Sequence, residues 1–190
     1  MSEDQLAMAP KRSFRNLYWI AIVVVFFDQL TKVLVKGSSA LGFPGMPIHS
    51  SKPLLGEIFR ITFVENPGIA FGINFPALKI FFSLFSVVAA IAIFVYLQRN
   101  GTKLLFWERI ALILIMGGAV GNLIDRCFYG VFYGEQPLFY GHVVDFIDFG
   151  YKENWFPVFN IADSAVSIGV TILVITLLFK KPIQPEPQLI

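Results

Sequence analysis

The chain has 190 residues, of which 56% are hydrophobic, 16% aromatic and only 15% charged, with a mean hydropathy of +0.68. A soluble globular domain carries about a quarter charged residues, so this one lacks the material for a wetted exterior. Its 15 Lys and Arg against 13 Asp and Glu leave a net charge of +2, too little for a nucleic-acid footprint. A lone cysteine, Cys127, excludes an intrachain disulfide and a Cys-based zinc site, and His49 and His142 are too few for a histidine-rich metal centre.

A helix that crosses a bilayer needs about 20 mostly apolar residues. Four stretches qualify in chain order, about 17–35, 78–97, 104–124 and 158–179, each a long apolar run rather than an amphipathic stripe. The expectation is a single, mainly α, polytopic membrane domain over 1–190, with segments of about 36–77 and 126–157 outside the membrane. Lys11, Arg12 and Arg15 precede the first span, Arg99, Lys103 and Arg109 bracket the turn between spans two and three, and Lys180 and Lys181 follow span four. Short basic flanks stay cytoplasmic, which places both termini inside. Lys36, Lys52, Arg60, Arg126 and Lys152 fall in the outer segments, so the bias is one of density. Span one is expected to stay uncleaved, because Asp28, Gln29 and Lys32 follow its apolar core where a signal peptide would carry small residues. Arg60–Val64 reads as a short strand and Asn66-Pro67-Gly68 as a turn. Gly37–Pro53 reads as loop, and the tail QPEPQLI as a frayed end.

Ionisable groups inside a span are costly and face the protein interior or a watery cavity. Asp28 and Lys32 lie four apart on one helix face, and are expected to neutralise each other where the helix settles at the interface. Span three ends in GGAVGNLIDR. Its glycines suit a close helix seam, and Asn122 and Asp125 share a face beside Arg126. These residues alone leave Asp125 open between a structural cap and a catalyst. Span four begins FNIADSAVSIG, where Asn160 suits an N-cap. Asp163 falls deeper in the apolar run, which favours a functional reading. Between the spans, Asp145 is flanked by Val143, Val144, Phe146 and Ile147, with Asp148 as a decoy on the same stretch. Asn66, Asn122, Asp145, Asn160 and Asp163 all fall toward the outer face.

Two carboxylates facing each other at low dielectric share one proton, so one can activate water while the other polarises a carbonyl. That chemistry needs no metal and no cofactor. Ser164 and Ser167 have no histidine partner in sequence, so a serine triad has little support, and Cys127 reads as inert filling. The principal rival is a small proton-coupled transporter or channel subunit using Asp28, Asp125 and Asp163 as a relay, which predicts acids at several depths. A non-enzymatic scaffold is the other, and predicts tolerance of Asp145→Asn and Asp163→Asn.

The blocks DQLTK (28–32), NPGIAFG (66–72), GGAVGNLIDR (117–126), HVVDF (142–146) and FNIADS (159–164) resemble, in order, the five blocks of bacterial lipoprotein signal peptidase, the type II signal peptidase. The resemblance covers nearly the whole chain. It implies four transmembrane helices with a small extracytoplasmic β-rich element, here drawn from residues 54–73, in a membrane aspartyl endopeptidase of the bacterial inner membrane. It implies cleavage of diacylglyceryl-modified prolipoproteins just before the lipidated cysteine, in contact with membrane lipids; one chain supplies the whole set of site residues, so action as a monomer is expected. Carried across, the catalytic pair falls on Asp145 and Asp163. Asn66, Asn122, Asp125, Arg126 and Asn160 match positions that line or brace the site, and Asp28 and Lys32 match the supporting block of span one. One departure stands out: the link CFYGVFYGEQPLFYG before His142 is longer than the family's usual connection, and its aromatics suggest an interfacial flap.

Overall fold

The computed structural model describes residues 14–68 and 76–180. Lys11, Arg12, Lys181, residues 69–72 of the second block and the QPEPQLI tail lie outside the described residues.

Four apolar helices dominate: α1 (Tyr18–Lys36), α2 (Pro76–Asn100), α3 (Phe106–Ile124) and α4 (Ile161–Leu178). Each contains a stretch long and apolar enough to cross a membrane. Large side chains such as Trp19, Phe26, Phe85, Val88 and Ile168 are exposed, a surface that suits lipid and would be costly in water. The central helix is α3, which packs against the other three spans. Half of its apolar window is buried, against 22%, 17% and 17% for the others.

Small residues make that centrality possible. A Cβ on Gly118 would strike the backbone carbonyl of Ala162, and one on Gly121 would come within 2.7 Å of Asp28 Oδ2 and 3.1 Å of Ala162 Cβ. Backbone cannot yield as a flexible side chain can, so Gly118→Ala should force α3 and α4 apart. We expect a loss of about 1–3 kcal/mol in folding stability, measured as a lowered unfolding midpoint in detergent. At the opposite end of α3, Glu108 accepts from the Leu105 N–H (2.8 Å) and from Lys180 Nζ (2.7 Å), clipping the start of α3 to the end of α4.

A four-stranded antiparallel sheet sits at the other end of the bundle: β1 (Ser51–Leu55), β2 (Phe59–Asn66), β3 (Val143–Tyr151) and β4 (Asn154–Trp155), in that spatial order. The sheet is wider than the 54–73 region suggested, because HVVDF opens a nine-residue strand. Val143, Val144, Asp145 and Phe146 are all buried, so no period-two alternation marks the strand in sequence. Register places Val64 opposite Asp145 and Arg60 opposite Asp148, with an irregularity between Ile61 and Val64. Phe63, Val144 and Phe146 pack with Val35 of α1 and with Tyr129, seating the sheet on the helices. Phe159 pairs with Ile147, its carbonyl accepting from the N–H groups of Phe146 (3.0 Å) and Ile147 (2.7 Å). The lead into α4 is thereby fastened to β3.

Span three also runs further than residue 124. A π-helical turn (Asp125–Tyr129) and a short helical turn (Gly130–Phe132) continue α3, so the aromatic insert begins as helix. The widened turn carries Asp125, Cys127 and Tyr129 inward. The rest of the insert closes on that turn, with Gly130 O accepting from Glu135 and Gln136 and Arg126 O from Gly141. Phe128, Val131, Phe132 and Leu138 remain exposed.

Candidate active site

The polar residues of three spans and β3 meet in one buried network. Lys32 is wholly buried and contacts three acceptors: Asp28 Oδ2 (2.8 Å), Asp125 Oδ2 (2.8 Å) and Asn122 Oδ1 (2.9 Å). The sequence expectation of a pair settling at the interface is therefore corrected. The Asp28–Lys32 pair forms, but it faces inward, because α3 offers a second carboxylate and an amide to complete the lysine's hydrogen bonding. Asp125 is likewise no cap for Arg126. It accepts from Gln29 Nε2 (2.8 Å) and from the Val144 N–H (3.1 Å). Among the described residues the Arg126 guanidinium donates no hydrogen bond, though it lies within electrostatic reach of Asp125, Asp163 and Asp145.

The start of α4 is held from two sides. Its first N–H groups have no intrahelical partner. Asn160 Oδ1 accepts from the Asp163 N–H (2.9 Å), as its position in FNIADS suggested, and Asp28 Oδ1 reaches across from α1 to accept from the Ala162 N–H (2.9 Å). Asp163 also takes part in capping, which its depth in the apolar run did not suggest: its Oδ2 lies 3.4 Å from the Asn160 nitrogen.

Asp145 and Asp163 line one cavity of about 570 Å³ with Asn66, Phe156, Pro157, Val158, Phe159, Ser164, Ser167 and Ile168. Three asparagines serve the pair. Asn122 Nδ2 donates to Asp163 Oδ1 (2.7 Å), Asn160 Nδ2 to Asp145 Oδ1 (2.6 Å) and Asn66 Nδ2 to Asp145 Oδ2 (3.2 Å). Burial pushes the Asp145 carboxyl up to about 7, with the nearby Asp163 charge adding to the rise and the asparagine donors opposing it. Asp145 is thus a carboxyl poised to hold a proton near neutrality beside a second carboxylate.

Asp148, three residues on, is just as buried but tied elsewhere, paired with Arg60 and bonded by Thr62. Arg60 in turn stacks over Trp155 at 3.5 Å. On the other flank, Lys36 at the end of α1 binds Glu65 of β2 and Glu135 of the insert, and lies over the Tyr133 ring at 4.3 Å. His142 and Lys36 together hold the Glu65 carboxyl down at about 2, against an ordinary 4.5. A carboxyl depressed on folding stabilises the fold above its unfolded pKa, and that stabilisation fades as pH falls toward the folded value. Glu65→Gln should therefore flatten the stability curve between about pH 4.5 and 2, read by thermal unfolding across that window.

The sequence expectation thus placed Asp28, Lys32, Asn66, Asn122, Asp125, Asp145, Asn160 and Asp163 in what proves one connected cluster, with Arg126 at its side. It missed Gln29 and Tyr129. Gln29 sits inside the DQLTK block, and a glutamine between two ionisable residues in an apolar span was the available signal. Tyr129 donates to Gln29 Oε1 (3.1 Å), but it lies in the aromatic insert, where nothing distinguishes it from its neighbours.

Four apolar helices with two carboxylates lining a cavity at one end define a polytopic membrane protein with a buried acidic site. Residues 20–179 match the family model of signal peptidase (SPase) II. Similarity extends to the lipoprotein signal peptidases of Paraburkholderia phymatum, 39% identical over 82% of each chain, and of Paraburkholderia phytofirmans, 37% identical over 92% of this chain and 94% of the other. Two solved bacterial membrane enzymes, determined by the in meso method at 2.3 and 1.9 Å, superpose with TM-scores of 0.68 and 0.67. They share 30% and 31% identity, covering 90% and 89% of this chain and 96% of each of theirs. The chain belongs to the signal peptidase II family; it is an aspartic peptidase and a multi-pass protein of the bacterial inner membrane.

Proposed function

We propose that this protein removes signal peptides from diacylglyceryl-modified prolipoproteins, cutting just before the lipidated cysteine, with Asp145 and Asp163 as the catalytic pair. The observation that carries the assignment is the shared cavity. Among the described residues only these two carboxylates line it, each held by asparagine amides, while Phe156–Phe159 and the exposed Ile168 continue its wall toward lipid.

In this reading a water lies between the two carboxyl groups, which share one proton. The ionised member takes a proton from the water as it attacks the carbonyl carbon preceding the lipidated cysteine. The protonated member polarises the carbonyl oxygen and then protonates it to give a tetrahedral diol. Breakdown returns a proton to the leaving amine, which becomes the new N-terminus of the cysteine. Asn122 and Asn160 direct their amide protons to the carboxylates, so they set the pair's geometry and charge more directly than they orient substrate. Arg126 supplies positive potential beside it. Asp28, Lys32 and Asp125 act from behind.

Arg15, Arg99, Lys103, Arg109 and Lys180 all belong to the end of the bundle away from the sheet. That distribution supports cytoplasmic termini and an active site at the outer leaflet, where the substrate's acyl chains stay in lipid. One chain supplies the whole network, which supports action as a monomer. The function is tested by presenting wild-type protein in lipid-containing detergent with a prolipoprotein in its diacylglyceryl-modified and unmodified forms. Product masses should show a single cut before the lipidated cysteine and none in the unmodified form; an uncut lipidated substrate contradicts the proposal.

A further inference from the structure

Lys32 touches neither carboxylate of the pair, yet each of its three contacts leads to one of them. Asp28, its first partner, accepts from the N–H of Ala162, the residue immediately before Asp163. Asp125, its second, accepts from the N–H of Val144, the residue immediately before Asp145. Asn122, its third, donates directly to Asp163. A lysine ammonium has three donors and no acceptor, so all three of its arms are committed.

The third arm also decides an orientation. An asparagine amide can face either way, and a partner able both to donate and to accept would leave that choice open. Lys32 only donates, so Asn122 must turn Oδ1 toward it and Nδ2 toward Asp163. The same logic recurs twice: Asn160 Oδ1 is claimed by the Asp163 N–H and Asn66 Oδ1 by the Gly68 N–H (2.9 Å), which sends both Nδ2 groups to Asp145. Of these orienting donors, two are backbone groups that no side-chain substitution removes. Asn122 Oδ1 is held by two side chains, Lys32 Nζ (2.9 Å) and Asn160 Nδ2 (3.1 Å), and Lys32 is the one that carries charge and can only donate.

Resting on the catalytic assignment above, we infer that Lys32 is a positioning residue that sets the spacing of Asp145 and Asp163 through Asp28 and Asp125, and the polarity of the hydrogen bond to Asp163 through Asn122. Such a role differs from simple neutralisation of buried charge. Neutralisation requires only that a cation be present, whereas positioning requires a donor on the Asn122 side as well. The charged groups facing Lys32 are Asp28 from its own helix and Asp125 from the turn after α3; Arg126 adjoins the latter in sequence.

Removing the lysine alone leaves two buried carboxylates without a cation, so the test pairs the change. Asp28→Asn retains an acceptor for the Ala162 N–H, and Lys32→Met/Asp28→Asn then removes the ammonium while one compensating charge is gone. Both are assayed on diacylglyceryl-modified prolipoprotein after a folding check. We expect kcat of the double variant to fall by about 10–10²-fold relative to Asp28→Asn, with KM within about twofold. The alkaline-side pKa of its pH profile should also move up, since the Lys32 charge favours ionised Asp145. A folded double variant with unchanged kcat and pH profile overturns the inference.

A second measurement needs neither turnover nor the double variant. In wild type labelled with 15N-asparagine, the side-chain amide of Asn122, assigned by its loss in Asn122→Ala, should shift as Asp145 titrates near pH 7. An amide that stays fixed through that titration means Asn122 does not face Asp163, and the inference fails. Wild type that cuts no lipidated substrate, but shows the titrating amide, refutes the catalytic assignment and leaves Lys32's positioning of the pair standing.

Discussion

Asp163→Asn, folded and in lipid-containing detergent, is expected to lose cleavage of a diacylglyceryl-modified prolipoprotein by about 10³-fold or more, with Asp145→Asn equally impaired. The size of the effect follows from the mechanism. Water is a poor nucleophile, and it gains competence only while one carboxylate takes its proton and the other supplies one to the carbonyl oxygen. An asparagine in either place fills the same volume but can neither take a proton nor release one at neutral pH. The neighbouring amides add to the loss. Asn122 presents its N–H to Asp163 Oδ1, and Asn66 and Asn160 present theirs to both oxygens of Asp145. A new NH2 group at either position meets donors where it needs acceptors. Product mass measured over a time course gives the ratio, and substrate affinity measured separately shows whether binding survives.

A second large effect is the pH dependence of Asp145, whose carboxyl is raised to about 7. The proposed mechanism requires one proton on the pair, so kcat/KM should fall about tenfold per pH unit above that value, as the proton is lost from the free enzyme. Stability follows the same group with a definite sign. The folded state keeps the proton up to about pH 7, while the unfolded chain releases it near 3.8. Between those values the unfolded state binds fewer protons, so stability declines as pH rises through the window and levels off above it. Asp145→Asn does not ionise. Relative to wild type it should grow more stable from pH 4 to pH 8 while remaining inactive, which thermal unfolding at the two pH values would show. An active-site carboxyl that costs the fold stability is what a function-driven burial predicts.

Much of this arrangement was legible in the sequence, for reasons that differ by element. The four spans show in composition, because lipid-facing helices must be apolar nearly all round. Asp163 stood out for the same reason, as did Asn160 at a helix start. β3 hid because it is buried on both faces, so an aspartate inside it looked like an isolated anomaly when it is in fact a strand residue opposite Val64. The Asp28–Lys32 pair was visible, but its direction was not. Spacing of four establishes a shared face and says nothing about whether that face meets water or a third helix bearing Asn122 and Asp125. Arg126 is adjacent to Asp125 in sequence, but the hydrogen bonds of Asp125 go to Lys32, Gln29 and the Val144 N–H, which adjacency could not announce. Tyr129 depends on that same turn, which no local pattern announces.

The central claim is that Asp145 and Asp163, and not Asp125, form the catalytic pair. All three are carboxylates in the same network, and Asp125 is the most deeply buried of them. Its partners are Lys32, Gln29 and the Val144 N–H, and it does not line the cavity that the other two share. The most direct measurement compares the Asn variants of all three, each verified as folded, for cleavage of one lipidated prolipoprotein read by product mass. Measurable residual cutting by Asp125→Asn, beside none by Asp145→Asn and Asp163→Asn, is the predicted result. Cutting that survives Asp145→Asn or Asp163→Asn but disappears in Asp125→Asn would contradict the assignment.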